Sequence, residues 1–301
     1  MVGIAVAAGY FVYQFQSGVS MAEEVEGGRQ EYDFNGVKNL DKINVLLLGV
    51  DARPDEERSR TDSIMVAQYN PKDGTAKVIS IMRDIYTEIP GYKNYKMNTA
   101  FFLGGPELLR ETLKMDFDLD IEYYALIDFA GFEKMVDVLA PDGIEIDVEK
   151  EMSANIGVSL EPGLQKLNGK ELLGYARFRK DAEADFGRVR RQQQVINAMR
   201  DELLSASSVV KLPKMIGVVK PYVQTNLDGG DLLDIVKSIA FQRPQTVESL
   251  TIPVEGSYTD EWYEGVGLAL TIDFEENKQA IEEFLADNPS LQETGEATPN
   301  E

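Results

Sequence analysis

Between Leu172 and Gln194 the chain reads LLGYARFRKDAEADFGRVRRQQQ, gathering Arg177, Arg179, Arg188, Arg190 and Arg191 in a protein of formal net charge -22. A guanidinium keeps its charge at any working pH, and its planar donor fork matches the oxygens of phosphate. Several aimed at one place point to an anionic ligand such as a phosphate or pyrophosphate. A solvated, charged helix face is the competing reading of any arginine run. Spacing separates the five. Arg177 and Arg179 share a face only if Phe178 is extended, because residues two apart on a helix diverge by about 200°; Phe178 would then turn into the core. Arg188, Arg191 and Gln192 fall at i, i+3 and i+4 and line one helix face, while Arg190 turns away. If the helix begins at Gly187, they sit in its first turn, where free backbone N–H groups also favour an anion. Arg188 and Gln192 are therefore proposed ligands, Arg191 a second-rank candidate, and Arg190 ordinary surface.

Two carboxylates stand apart from this stretch. Asp51 ends the apolar run INVLLLGV and Asp62 precedes SIMVAQY. If these segments are neighbouring strands, both acids meet at one sheet edge, and two carboxylates with waters and a phosphate are a usual way to hold magnesium. An Asp at a strand end is also an ordinary turn residue. Arg60, two residues before Asp62, would point the same way on an extended chain. Arg83, in SIMRDIY, follows a third strand and would reach the same edge, with a local salt bridge to Asp84 as the alternative.

Composition narrows the chemistry. The 301 residues include no Cys and no His, which excludes thiol catalysis, disulfides, His/Cys zinc sites and every Ser-His or Cys-His couple. The acidic balance argues against nucleic-acid binding, which needs a basic face. Met1 to Tyr13 is apolar without a break, yet spanning a bilayer takes about 20 such residues, and the run lacks a basic flank. Residues 1–20 are read as part of a transmembrane helix that begins upstream, with a buried N-terminal helix as the alternative. Residues 21–40 are read as a polar tether, 41–286 as one domain, and 287–301 as an acidic, disordered tail.

The elements that must position these residues follow from periodicity. Ile43 to Val50 reads as a strand buried on both faces, and Ser63 to Tyr69 with Ala76 to Ile81 as a hairpin turning at Pro71-Lys72-Asp73-Gly74. The loop Asp51 to Thr61 lies at a strand's carboxyl end, where open α/β sheets place ligands. Helices are expected over Asn98 to Met115, broken at Gly104-Gly105-Pro106, and over Asp128 to Leu139, Asn168 to Ala176 and Gly187 to Leu204. Further helices fall at Val209 to Val219, Leu232 to Phe241 and Asn277 to Leu285, and further strands at Ile121 to Ile127, Ile144 to Val148, Leu250 to Val254 and Val266 to Ile272. Alternating helices and strands indicate an α/β layer architecture. Phe101, Phe102, Leu109, Phe129, Phe132, Met135, Val136, Val195, Ile196 and Met199 lie on helices near the arginines and could line an apolar groove, although such stripes are usually plain core.

The blocks GVDARP, SRTDSIM, SIMRDIY, YKMNTAF and GYARFRKDAEADFGRVRRQQQVI, in order from Ile43 to Leu204, resemble those of the LytR-CpsA-Psr family. That resemblance implies a three-layer α-β-α sandwich with a central mixed β-sheet. It also implies a membrane-anchored, extracytoplasmic, magnesium-dependent phosphotransferase. Such an enzyme moves a glycopolymer, such as teichoic acid or capsular polysaccharide, from an undecaprenyl-pyrophosphate carrier to peptidoglycan. Asp51 and Asp62 would hold Mg2+, Arg83 would join them in catalysis, and Arg60, Arg83, Lys96, Arg177, Arg179, Arg188 and Gln192 would surround the pyrophosphate. A carrier lipid strengthens the groove reading. The base would be an acid near Arg83 or a magnesium-linked carboxylate. The alternatives are a non-catalytic polyprenyl-pyrophosphate-binding envelope regulator and a polyprenyl-pyrophosphate hydrolase.

Overall fold

INVLLLGV forms the strand its β-branched and leucine content favours, and the sheet is built around it. A computed structural model of the protein describes residues 2–21, 32–38, 41–51, 61–204, 212–244 and 246–286. In chain order the elements are α1 (Val2–Met21), β1 (Ile43–Val50), β2 (Thr61–Tyr69), β3 (Ala76–Ile81), β4 (Tyr86–Thr87), β5 (Tyr95–Lys96), α2 (Asn98–Phe117), β6 (Tyr123–Asp128), α3 (Phe129–Leu139), β7 (Ile144–Val148), β8 (Gly163–Leu167), α4 (Gly169–Arg177), α5 (Ala184–Leu203), α6 (Leu212–Val219), β9 (Val223–Thr225), α7 (Gly229–Gln242), β10 (Val247–Ile252), β11 (Tyr258–Tyr263), β12 (Gly267–Ile272) and α8 (Phe274–Leu285). Arg60, most of the tether and the tail 287–301 lie outside the described residues.

The central sheet has six strands in the order β10-β3-β2-β1-β6-β9. Strands β1 and β6 run parallel, as do β3 and β10, and the other pairs are antiparallel, so the sheet is mixed. Helices cover both faces, giving three α-β-α layers.

The two faces of the sheet differ. Leu46, Leu48 and Val50 of β1, with Ile64 and Val66 of β2 and Tyr124 and Leu126 of β6, are buried against Leu109, Leu113 and Phe117 of α2 and Ile281 of α8. Helix α2 breaks at Gly104 and Gly105, as Gly104-Gly105-Pro106 leads one to expect. The intervening residues of β1 are only half buried. This corrects the expectation that β1 is dry on both sides: the second face looks onto a cavity. Beyond that cavity a separate core joins Val136 and Ala140 of α3, Ile144, Ile146 and Val148 of β7, Leu172 and Tyr175 of α4, and Val195 of α5. Strand β7 lies outside the central sheet, in a hairpin with β8.

Helix α1 packs on α6 with the backbones in close approach. A Cβ on Gly18 would lie 2.0 Å from the Lys214 carbonyl oxygen, and one on Gly217 would lie 2.3 Å from that of Phe15. Among the described residues, no helix is long and apolar enough to cross a membrane.

Candidate active site

The carboxyl end of β1, the amino end of β2 and the carboxyl end of β3 meet at one sheet edge. Along β1 and β2 the register runs Leu48↔Ile64 and Gly49↔Ser63, then slips so that Val50 faces Thr61. Asp62 is the extra residue of this β-bulge. Strict alternation would have turned Asp62 toward the α2 core. The bulge instead sends Thr61 there, fully buried, and leaves Asp62 and Ser63 together on the cavity side. Arg83, just past β3, forms an ion pair through Nη1 with the Asp62 carboxylate, and its Nε donates to Asp84 at 3.3 Å. The other Asp84 oxygen accepts from Lys96 Nζ at 2.8 Å. Both readings of Arg83 therefore hold at once: it meets the edge and it pairs with its neighbour. Burial works against its charge, but Asp84, Asp62 and Asp185 outweigh that and raise its pKa.

The facing wall comes from α4 and α5. Asn168 begins α4 with a capping box, accepting from the Glu171 amide while Glu171 accepts from its own, a device that contributes about 1 kcal/mol. The helix ends at Arg177. Phe178 then takes an extended conformation (φ -61°, ψ 133°) and is buried, which stabilises that turn by about 1.5–3 kcal/mol. Arg177 and Arg179 consequently emerge on one side and both line the cavity. The Arg177 guanidinium lies 4.1 Å from the centre of the Phe129 ring, a contact that fixes its direction.

Helix α5 starts at Ala184, not Gly187, so Arg188 belongs to its second turn and gains nothing from free amides. Asp185, a residue that periodicity did not single out, takes that first-turn place. Its Oδ1 accepts from Arg179 Nη1 and pairs with Arg188 Nη2, both at 3.2 Å. Arg188 is only 4 % exposed, and its Nε has no hydrogen-bond partner. Burial, with Arg83 and Arg179 nearby, lowers its pKa to about 10 despite Asp185; it stays protonated at neutral pH. Burial alone would raise the Asp185 pKa, but Arg188, Arg83 and Arg179 lower it. Gln192 accepts from Ser63 Oγ at 3.3 Å, linking α5 to the sheet.

These groups form one end of a cavity of about 660 Å³ between the sheet and α3–α5. Its floor includes Leu47, Met65, Ala125 and Ile127, and its far wall Phe132, Met135, Ile196 and Met199. One helix supplies both characters. Along α5, Asp185, Arg188 and Gln192 are followed on the same stripe by Val195, Ile196 and Met199, so that charge gives way to hydrocarbon over about 21 Å. A cationic mouth continued by an apolar slot suits an amphiphile with an anionic head.

The profile described as LytR_cpsA_psr family matches residues 8–281. The chain belongs to that family. It is 50% identical over 277 residues to the Regulatory protein MsrR of Staphylococcus aureus (strain COL), covering 92% of this chain and 84% of the relative. It is 33% identical over 275 residues to the Polyisoprenyl-teichoic acid--peptidoglycan teichoic acid transferase TagU of Bacillus mycoides (strain KBAB4), covering 87% and 89% of the two chains. The structure of TagT, a B. subtilis protein, bound to LIIa-WTA superposes with a TM-score of 0.65 at 28% identity, covering 87% of this chain and 95% of that one.

Within this LytR_cpsA_psr fold the expected site residues separate into groups. Asp62, Arg177, Arg179, Arg188 and Gln192 line the cavity, and Arg83 and Lys96 join its mouth through Asp62 and Asp84. Asp51 is half buried at the end of β1 and is not part of the cavity lining. Arg60 lies outside the described residues. Arg191 is corrected from ligand candidate to scaffold: fully buried, it bonds Asp181 at 2.9 Å and the Phe178 carbonyl at 2.7 Å, holding the Arg177–Arg179 turn. Arg190 pairs with Glu149 and Glu183 on the surface, as its phase on the helix indicates. Of the groove residues, Phe129, Phe132, Met135, Val195, Ile196 and Met199 line the cavity. Phe101 and Leu109 are instead core on the opposite face, and Val136 is core behind α3. Phe102 does not line the cavity. Lys180, Ser63 and Asp185 line it without having been anticipated; Asp185 is three residues before Arg188, a helical ion-pair spacing that could have flagged it.

Asp51 and Asp62 are the residues that would hold magnesium. They follow or adjoin the paired positions Val50 and Thr61, so both acids end adjacent strands. Among the described residues no group of three or more metal-binding side chains gathers. Two carboxylates completed by waters and phosphate oxygens are a donor set of the kind magnesium takes, and Asp62 would have to share its carboxylate with Arg83.

Proposed function

We propose that this protein is a magnesium-dependent phosphotransferase that moves an anionic cell-wall glycopolymer from a polyprenyl-pyrophosphate carrier to peptidoglycan. The observation that carries it is the single cavity in which Arg177, Arg179 and Arg188 give way along α5 to Val195, Ile196 and Met199. The named activity of TagU and the TagT complex with LIIa-WTA agree with that reading. Magnesium, when bound, would neutralise charge on the pyrophosphate oxygens. The polyprenyl chain lies in the apolar slot, and Arg179, Arg188 and Arg83 hold the two phosphates. The acceptor hydroxyl attacks the sugar-proximal phosphorus and passes its proton to a carboxylate near Arg83, a new phosphodiester forms, the anhydride bond breaks, and polyprenyl phosphate leaves. Fixed guanidiniums that need not reorganise are well suited to the charge moving onto that leaving group. The same reading places the domain outside the membrane on an N-terminal anchor.

The test is a reconstituted transfer with radiolabelled lipid-linked donor. Label moves into peptidoglycan only when peptidoglycan and magnesium are both supplied, and EDTA stops it. Equal consumption of donor without acceptor would instead establish a hydrolase. The name of MsrR favours a second reading, a regulator that binds the lipid without turning it over. Asp62→Ala decides between them: a transferase loses activity by at least 100-fold, whereas a sensor keeps glycopolymer attachment in cells unchanged while losing lipid affinity.

A further inference from the structure

The hairpin of β11 and β12 takes no part in the cavity, yet it is fastened to the residues around Arg83. The Leu270 amide donates to the Asp84 carbonyl at 2.9 Å. The Tyr263 ring stacks on Tyr86 with centroids 3.7 Å apart, and Tyr258 stacks on Phe186, the neighbour of Asp185, at 5.1 Å. Ala269, Leu270 and Ile272 of the hairpin are buried, and at its turn the Tyr95 hydroxyl donates to the Gly265 carbonyl at 3.1 Å. One cross-strand pair is left in water. Trp262 is 77 % exposed and faces Leu268, 54 % exposed, directly across the ladder. The sequence contains one tryptophan, and the hairpin holds it in water beside a second apolar side chain, where its flat apolar ring and N–H donor suit a contact surface.

Position and charge decide the occupant. The Trp262–Leu268 pair lies two residues from the Leu270 that bonds Asp84, about 7 Å along the strand. The pair therefore stands near the residues around Arg83, and the Tyr258–Phe186 contact places the hairpin at the Asp185 end of α5, away from Met199. Asp260, Glu261 and Glu264 are exposed on the same hairpin. They repel a phosphate-rich polymer and tolerate an uncharged sugar or an amine, so the anionic donor is disfavoured here. An indole with an apolar neighbour offers a flat face for the C–H side of a pyranose ring.

We infer that the exposed cross-strand pair of the β11–β12 hairpin is the acceptor subsite, where Trp262 and Leu268 receive a β-linked N-acetylhexosamine glycan and present its hydroxyl toward Arg83. The inference rests on the transferase reading above and assigns its acceptor side. The probe is a soluble, uncharged oligomer of β-linked N-acetylglucosamine, titrated into the whole protein while the single tryptophan's fluorescence is read. Emission shifts to the blue and saturates, and calorimetry gives binding that Trp262→Ala weakens at least tenfold and Trp262→Phe by less than threefold. In the transfer assay Trp262→Ala raises the acceptor KM by a similar factor and leaves affinity for polyprenyl pyrophosphate in micelles unchanged. An unshifted emission, wild-type affinity in Trp262→Ala, or an equal response to a polyglycerol-phosphate probe would each overturn the assignment. Loss of the lipid-binding result with the glycan result intact would sink the transferase reading and leave the glycan site standing.

Discussion

Replacing Asp185 by Asn removes the one carboxylate that both Arg179 and Arg188 reach at 3.2 Å. The Arg188 side chain is 5 % exposed and that of Asp185 29 %. Breaking a fully buried ion pair costs about 3–5 kcal/mol. Water reaching the more exposed Asp185 position recovers part of this, so about 2–3 kcal/mol is expected here. In a domain of this size that lowers Tm by about 5–10 °C. The same carboxylate competes with any phosphate for the two guanidiniums, so its loss should tighten inorganic pyrophosphate binding about tenfold, or about 1.4 kcal/mol. Thermal melts of both proteins, with and without one fixed pyrophosphate concentration, read both effects: the variant melts lower alone and gains more from the ligand. The burden reverses with acid. Because the folded Asp185 pKa is lowered, its contribution is present above the usual carboxylate range and lost as pH falls through the lowered value. The gap in Tm between wild type and variant closes on the acid side. A variant that melts with the wild type, or binds pyrophosphate more weakly, would show that Asp185 is not the arginines' internal counter-ion.

Four further variants have outcomes set by their surroundings. Ala125→Phe, on the cavity floor, should abolish binding of a long-chain polyprenyl pyrophosphate while leaving inorganic pyrophosphate affinity within about twofold, as read by native mass spectrometry and calorimetry. Arg191→Ala takes from Asp181, whose side chain is 7 % exposed, the closer of its two cations, leaving Lys150 at 3.3 Å, and removes the donor to the Phe178 carbonyl; it should cost about 3 kcal/mol in denaturant melts, the low end for a buried pair. Arg190→Ala breaks only surface pairs and should cost under about 1 kcal/mol. Burial and the neighbouring Glu88, against a hydrogen bond from Thr87, raise the Asp116 pKa to about 7. The folded state then holds that proton more tightly than the unfolded chain, and stability falls as pH rises from about 4 to about 7. Asp116→Asn should therefore gain more in Tm over the wild type at pH 8 than at pH 5, and equal gains at both would contradict it.

Much of this was legible in the chain itself because the signals are local. The run Ile43–Val50 is apolar except for Asn44 and rich in β-branched and leucine side chains, Gly104-Gly105-Pro106 breaks α2 through its own backbone preferences, and Arg190 is turned from Arg188 by helical phase alone. The condition set on Arg177 and Arg179, an extended and buried Phe178, is met because an apolar side chain two-sidedly flanked by charges has one favourable direction. The absence of His and Cys likewise leaves the chemistry to carboxylates, Arg, Lys, Tyr or a hard metal held by oxygen ligands. Other features depend on what lies across space. Asp62 reaches the cavity through a bulge that exists only in the pairing of β1 with β2, and no pattern within SRTDSIM records it. Arg188 and Arg191 carry the same charge three residues apart, yet one opens onto the cavity and the other bonds Asp181 and the Phe178 carbonyl, a difference made by partners ten and thirteen residues away. Apolar stripes on α2 and α5 look alike in sequence. Only the sheet between them decides that Leu109 packs into a dry core while Val195, Ile196 and Met199 border open space, since a side chain's surroundings are set by the element opposite it and not by its own periodicity.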